Sequence, residues 1–365
     1  MIDFKKDARL LPTYPYGGSD QKIRILYNDE IYMLKFADNH AKRSEISTSE
    51  VNNVTSEYVS SHIVNDAIGL STHETILGTY GEDLVVACKD FKQDREYLSE
   101  FADYLKARYN SKDRGKYLYY YQLYETIHNV PELMAHEQMC KDQYWNTMVI
   151  DALIGNFDRH TGNWGYLVNE KTGDFRLAPM YDFGSSLFPR LSDFGRSEKM
   201  ASHFSMMERC YVFPHSQLYM TVEKNGAAGY FDILCSGFDK NCVEAVKRIV
   251  PEIDLGKINT VIDNLEGLTD IQKTFYKEII MYRYANILVP AYDCAINSSF
   301  KSDCIDRLNG MKEEITLNLL DTWIKGGEVP QTRKEVEDVA KASMKRFYGD
   351  ASEMVTKKGI HHTHR

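Results

Sequence analysis

The sequence predicts an α+β protein of two lobes: a small β-rich N-lobe over residues 1–90, a mainly helical C-lobe over 91–350, and a flexible tail over 351–365. Three patterns carry that expectation. The opening third alternates short apolar runs with turn residues around a single helical stretch. From about Asp94 the character changes to long helical patterns rich in Tyr, Leu, Met, Lys and Glu, and one short hairpin pattern interrupts these between Asn156 and about Ser197. A chain of 365 residues has room for two cores.

In chain order, "KIRILY", the turn "NDE" and "IYMLKF" form a β-hairpin pattern. "TSEYVSSHIVNDAIGL" reads as a helix, with Thr55 or Ser56 as N-cap and Val54, Tyr58 and Ile63 near helical spacing. "HETILGTY" and "DLVVAC", parted by Gly81-Glu82, read as two strands, the second apolar enough to be buried. "YWNTMVIDALIG" has the spacing of a buried helix that stops at Gly155. "WGYLVN", the turn "EKTGD" and "FRLAPMYD" form the hairpin, with Asp182 at the end of its second strand. The tyrosines of "KYLYYYQLYETI" are assigned to packing. A β-rich lobe, a helical lobe and a hairpin near their junction suggest a cleft for a mononucleotide.

Bulk properties exclude several classes. No stretch approaches the ~20 unbroken apolar residues of a membrane span. The net charge of −9 argues against general nucleic-acid binding, which needs a basic surplus. Seven cysteines without C-x-x-C spacing, and an N-terminus without an apolar signal-type core, point to a reducing, cytoplasmic setting. The terminal "HHTHR" is read as uncommitted.

The strongest local signal is "FDRHTGNW". Phosphoryl transfer needs a carboxylate beside the attacking hydroxyl and oxygen ligands on a nearby Mg²⁺, roles that Asp158 and Asn163 fit. Asp-Phe-Gly occurs twice, at Asp182–Gly184 and Asp193–Gly195. The hairpin delivers Asp182 beside Asn163, so Asp182 is the expected second metal ligand and Asp193 a loop residue. The paired Gly17 and Gly18, before a strand, can bring backbone N–H groups to phosphate oxygens. Lys35, a cation in an apolar strand, calls for anionic partners, which phosphates and Glu57 would supply. Ala87 and Lys89 are placed to offer main-chain groups to adenine and Asp90 to accept from a ribose hydroxyl. Arg159 and His160 are expected to brace the catalytic loop through hydrogen bonds and a carboxylate, with His160 also counted in the nucleotide-binding set.

These segments resemble the HipA-like serine/threonine kinases, a bacterial branch of the protein-kinase-like fold. "ALIGNFDRHTGNWGYL" is similar to the family's catalytic loop, "LAPMYDFGSSL" to its metal segment, "GGSDQKIRIL…YMLKF" to its phosphate loop and lysine strand, and "SEYVSSHIVNDAIGL" to its helix, in the family's order. The resemblance implies ATP and Mg²⁺ as cofactors, Asp158 as base, Asn163 and Asp182 as metal ligands, Lys35 on the phosphates, Lys22 near the γ-phosphate, a protein substrate, and autophosphorylation. About fifteen residues precede the glycines, so the chain looks like the short, stand-alone form of the family. The stretch before the glycines, Thr13-Tyr14-Pro15-Tyr16, lacks the serine that toxin-type relatives phosphorylate, and Ser19 or Tyr16 stands as its substitute. Two alternatives remain: a small-molecule phosphotransferase on the same fold, and a nucleotide-binding toxin or interaction module whose region from about Cys235 docks an antitoxin-like or regulatory partner.

Overall fold

In the computed structural model, which describes residues 1–12, 22–37, 52–109, 118–220 and 227–297, the N-terminal lobe is built on strands β1 (Ile2–Asp3), β2 (Arg9–Leu11), β3 (Lys22–Tyr27), β4 (Glu30–Phe36), β5 (Thr75–Tyr80) and β6 (Asp83–Lys89). They form one sheet in the order β1-β5-β6-β4-β3-β2. The hairpin of β3 and β4 closes on Asn28 and Asp29, both at positive φ, 49° and 61°. Such a two-residue loop matches strand twist, and Asn and Asp tolerate the left-handed conformation.

Helix α1 (Phe4–Asp7) precedes β2, and α2 (Asn53–His62) runs on through a π-helical turn, Ile63–Ile68, to Gly69. The period-2 alternation of the strands gives the sheet two buried faces. Leu34, Val85 and Ala87 pack with Phe4, Ile25 and Tyr32 on one face. Val86 and Cys88 pack with Val54 of α2 on the other.

The rest of the described chain is β7 (Glu96–Glu100), α3 (Phe101–Tyr109), β8 (Leu118–Tyr119), α4 (Tyr120–Asn129), α5 (Pro131–Met134), α6 (Glu137–Ile154), β9 (Gly165–Asn169), β10 (Phe175–Leu177), α7 (Asp193–Met200), α8 (His203–Tyr211), β11 (Leu218–Tyr219), α9 (Tyr230–Ser236), α10 (Lys240–Ile249), α11 (Leu255–Asn264), α12 (Asp270–Arg283) and α13 (Val289–Ile296). One large core joins these helices around α6, whose Trp145, Val149, Ile150, Leu153 and Ile154 are fully buried. As the sequence predicts, α6 ends at Gly155, at φ 64° in the left-handed region. No helix among the described residues is long and apolar enough to cross a membrane.

Four expectations need correction. Asn52 is the N-cap residue of α2, and Thr55 and Ser56 lie inside the helix, buried against the sheet. The helical region does not begin at Asp94: Glu96–Glu100 is a strand, paired with β9 in a three-stranded sheet of order β10-β9-β7. Gly165 permits that pairing, since a Cβ there would stand 2.3 Å from Ser99 O and 2.8 Å from Glu100 Cα. The hairpin's second strand stops at Leu177, so Asp182 lies beyond it, outside any helix or strand and at φ 62°. Asp193 is not in a loop. It opens α7, where Ser192 Oγ caps Gly195 N, and its carboxylate takes bonds from Arg196 Nη1 at 2.9 Å and Thr269 Oγ1 at 2.8 Å.

Candidate active site

The alternation that sends Leu34 into one core turns Lys35 to the opposite face of β4, beneath α2. There Lys35 Nζ lies 2.9 Å from Glu57 Oε2 and 2.9 Å from Asp182 Oδ1. Burial disfavours the Lys35 ammonium, but Asp182 and then Glu57 reverse this and hold its pKa well above the ordinary value. Burial also pushes Glu57 upward, and Lys35 with His73 outweighs it, leaving Glu57 well below the usual carboxylate range. For Asp182, burial and the Glu57 charge raise the pKa, while Lys35 and Arg159 bring it below normal.

The loop after α6 is held from beneath. Asp151, 1% exposed, projects from the last turn of α6 and receives Arg159 Nε at 2.9 Å and Nη2 at 3.1 Å. Arg159 Nη1 donates to Asn163 O at 2.8 Å and also to Tyr181 O, one residue before Asp182. One guanidinium thus joins the segments carrying Asn163 and Asp182. Asn156 continues the brace, with Nδ2 on Asp151 Oδ1 at 3.0 Å and Oδ1 accepting from Asp158 N at 3.1 Å. His160 accepts from Gly162 N through Nδ1 at 3.1 Å, so both residues brace the loop. Asp158 stands on this support with an exposed side chain.

The donors fit a hard cation. Asn163 commits its amide nitrogen to Asp158 O at 2.8 Å, leaving the side-chain oxygen as the donor a cation would use. Asp182 uses Oδ1 on Lys35 and keeps a second carboxylate oxygen to offer a cation. An amide oxygen and a carboxylate, without sulfur or imidazole, suit Mg²⁺.

The remaining predicted residues divide. Lys22 stands opposite Lys35 in the β3/β4 register. Ala87 is fully buried within the sheet, between Leu34 and Ile76. The N–H groups of Lys89 and Asp90 donate to Glu74 O at 2.9 Å and Ile31 O at 2.8 Å, so the sheet already uses donors that an adenine edge would need. The Asp90 carboxylate faces Lys92 Nζ at 3.5 Å and Arg24 Nη2 at 4.0 Å. Gly17, Gly18 and Ser19, with Tyr16, lie outside the described residues.

Three residues of the site have no counterpart in the sequence reading. Asp151 is one, and a carboxylate inside "VIDALIG" is the signal that could have found it. His73 is another, its Nε2 lying 2.9 Å from Glu57 Oε1, and no local pattern marks it. Glu100, at the end of β7, is the third: a Cβ at Gly162 would stand 3.1 Å from its Oε2, and burial, then Asp103 and Asp182, raise its pKa.

Known proteins share much of this sequence and fold. Residues 15–241 match the family described as the HipA-like C-terminal domain. The chain is 34% identical over 301 residues to the serine/threonine-protein kinase CtkA of Helicobacter pylori strain J99, covering 82% of this chain and 90% of CtkA. The crystal structure of the Helicobacter pylori proinflammatory kinase CtkA aligns with a TM-score of 0.74 at 34% identity, over 82% of this chain and 98% of that one. HipA from the Shewanella oneidensis MR-1 complex with HipB and operator DNA aligns with a TM-score of 0.48 at 14% identity, over 77% of this chain and 67% of that one. With its predicted resemblance borne out, the chain belongs to the HipA-like C-terminal domain family and is a kinase-type enzyme with the two-lobed fold of CtkA.

Proposed function

We propose that this chain transfers the γ-phosphoryl group of ATP, with Mg²⁺, to a serine or threonine hydroxyl of a protein, and that its own chain is among the acceptors. The observation that carries this reading is the single guanidinium of Arg159 tying Asn163 to Tyr181-Asp182, while Asp182 also meets the Lys35–Glu57 pair. Two oxygen donors and one buried ammonium then share one corner of the cleft, beside the exposed Asp158.

In this mechanism Asp158 accepts the proton of the attacking hydroxyl as the new oxygen–phosphorus bond forms. The bond from the γ-phosphorus to the bridging oxygen breaks, and ADP leaves. Asn163 and Asp182 would hold the metal, which when bound supplies positive charge against the phosphate oxygens. Lys35, kept ionised by its two carboxylates, places an ammonium for the same phosphates. The catalytic gain comes from positioning and preorganised charge, with no covalent enzyme intermediate.

The test is incubation of wild-type and Asp158→Asn proteins with radiolabelled ATP and Mg²⁺ in a protein mixture, followed by mass mapping of phosphorylated residues. Wild type is expected to label protein serine and threonine and its own chain. Asp158→Asn is expected to bind nucleotide with little change and to transfer nothing. Full transfer by Asp158→Asn removes the base from this assignment, and label appearing only in small molecules replaces the protein acceptor with a small one.

A further inference from the structure

Glu57 has more to do than neutralise Lys35. Its Oε2 faces Lys35, and its Oε1 accepts from Phe183 N at 3.0 Å, the residue after the metal-ligand candidate Asp182. Glu57 therefore links the lysine strand to the metal segment, and the link requires one orientation of its carboxylate. Glu57 is 1% exposed, so water is not available to hold that orientation.

His73 is placed to hold it. The ring is 4% exposed, and Nε2 lies 2.9 Å from Glu57 Oε1. That approach is a close polar contact not aligned as a hydrogen bond, and Nε2 has no hydrogen-bond partner among the described residues. The ring meets Phe183 edge-on at 6.0 Å. The backbone of His73 is bound to the metal segment as well: His73 N donates to Met180 O at 3.1 Å, and Met180 N donates to Ser71 O at 2.8 Å. His73 thus rides with the segment that carries Asp182 and packs its Nε2 edge against the carboxylate that must stay registered with that segment.

We propose that His73 is a positioning residue for phosphoryl transfer, acting through Glu57 to keep Lys35 and the metal segment in register. This rests on the kinase reading above. His73 touches neither nucleotide nor metal in this role, and its effect disappears when Glu57 can no longer carry it. Cys88 Sγ lies close to both groups, the three donor atoms falling within 4.8 Å of one another, so a rival reading of the same cluster is a site for a thiophilic cation such as Zn²⁺.

The experiment is a double-mutant cycle on the full chain, with ATP turnover, protein labelling and thermal unfolding measured for wild type, His73→Leu, Glu57→Gln and the pair. His73→Leu is expected to lower kcat by about tenfold or more, the scale seen when a residue orienting a functional ligand is removed, while nucleotide affinity changes little. In the Glu57→Gln background the same substitution is expected to change kcat less than about twofold, because residues acting through one another are not additive. His73→Gln, which returns an N–H donor near the Nε2 position, is expected to recover most of the loss. Where His73→Leu lowers the unfolding temperature sharply, His73→Gln against His73→Asn, whose donor is too short to reach Glu57, gives the same comparison. Wild-type kcat for His73→Leu overturns the proposal, as does an equal loss with and without Glu57. Inhibition by Zn²⁺ that vanishes in both His73→Gln and Cys88→Ser also overturns it, in favour of a metal site. Absence of any turnover by wild type instead refutes the underlying kinase reading.

Discussion

Arg159 and Asp151 meet face to face below the loop that follows α6, with Nε to Oδ2 at 2.9 Å and Nη2 to Oδ1 at 3.1 Å, both side chains almost completely buried. A planar guanidinium on a carboxylate in this geometry fixes distance and orientation together. The remaining nitrogen, Nη1, is thereby aimed at the carbonyls of Asn163 and Tyr181.

Asp151→Asn should leave the Arg159 charge buried with half its partner. The expected cost is about 3–5 kcal/mol, as for other buried pairs broken on one side. Urea unfolding measures it. Replacing both residues by apolar ones of similar size should recover much of the stability but not phosphate transfer, which separates support of the fold from support of the loop.

Asp182→Asn should weaken Mg²⁺-ATP binding and leave the affinity for metal-free ATP nearly unchanged, because Glu57 still faces Lys35. Titration calorimetry with and without Mg²⁺ reads the difference. Equal loss in both conditions would show that Asp182 acts by holding Lys35 and not through a cation.

Asp193 offers the control. Its carboxylate serves Arg196 and Thr269 at the start of α7. Asp193→Ala should therefore cost about 1–3 kcal/mol, the penalty of a buried donor left without its partner, with phosphate transfer per folded molecule unchanged. Parallel unfolding and labelling assays test this, and a lost activity in a folded protein would restore a role to the second Asp-Phe-Gly.

Much of this was legible before any coordinates. The strands β3 to β6 announce themselves by alternation and by turn residues, and the apolar helix α6 with Gly155 marks where the candidate catalytic loop starts. What was hidden depends on contacts across the chain. "EYLSE" carries acids at both ends, and only pairing with β9 makes it a strand. Strands β1 and β2 are two and three residues long, too short for a period to show. His73 has meaning only through Glu57 and Phe183, residues that no spacing rule connects to it.

A titration inside the C-lobe should set part of the acid–base stability. Glu208 is buried beside Arg209, and burial raises its carboxyl pKa to about 7 against the partial relief of Arg209 and Lys199. A carboxyl whose folded pKa is raised gives stability that is fully present below the unfolded value and is lost as pH rises through the folded one. Thermal stability of wild type should thus fall, relative to Glu208→Gln, as pH rises between about 4.5 and about 7. Parallel melting curves across that window would show no divergence if Glu208 is ionised throughout.

Gly165→Ala should destabilise by about 1–3 kcal/mol, the usual cost of overpacking, since its methyl would meet the backbone of Ser99 and Glu100. Chemical denaturation measures the loss.

Asn52 has a consequence beyond the start of α2. Its N–H reaches Pro189 O at 2.7 Å and its side-chain amide reaches Leu191 O at 3.3 Å, both in the stretch that joins Asp182 to α7. Glu57, farther along the same helix, is fastened to Lys35 and to Phe183 N. Helix α2 therefore behaves as a tie rod riveted at two points to the segment of residues 183–191, and swinging it outward would tear both rivets together. The helix and the segment after Asp182 are coupled, so a displacement of one has to carry the other.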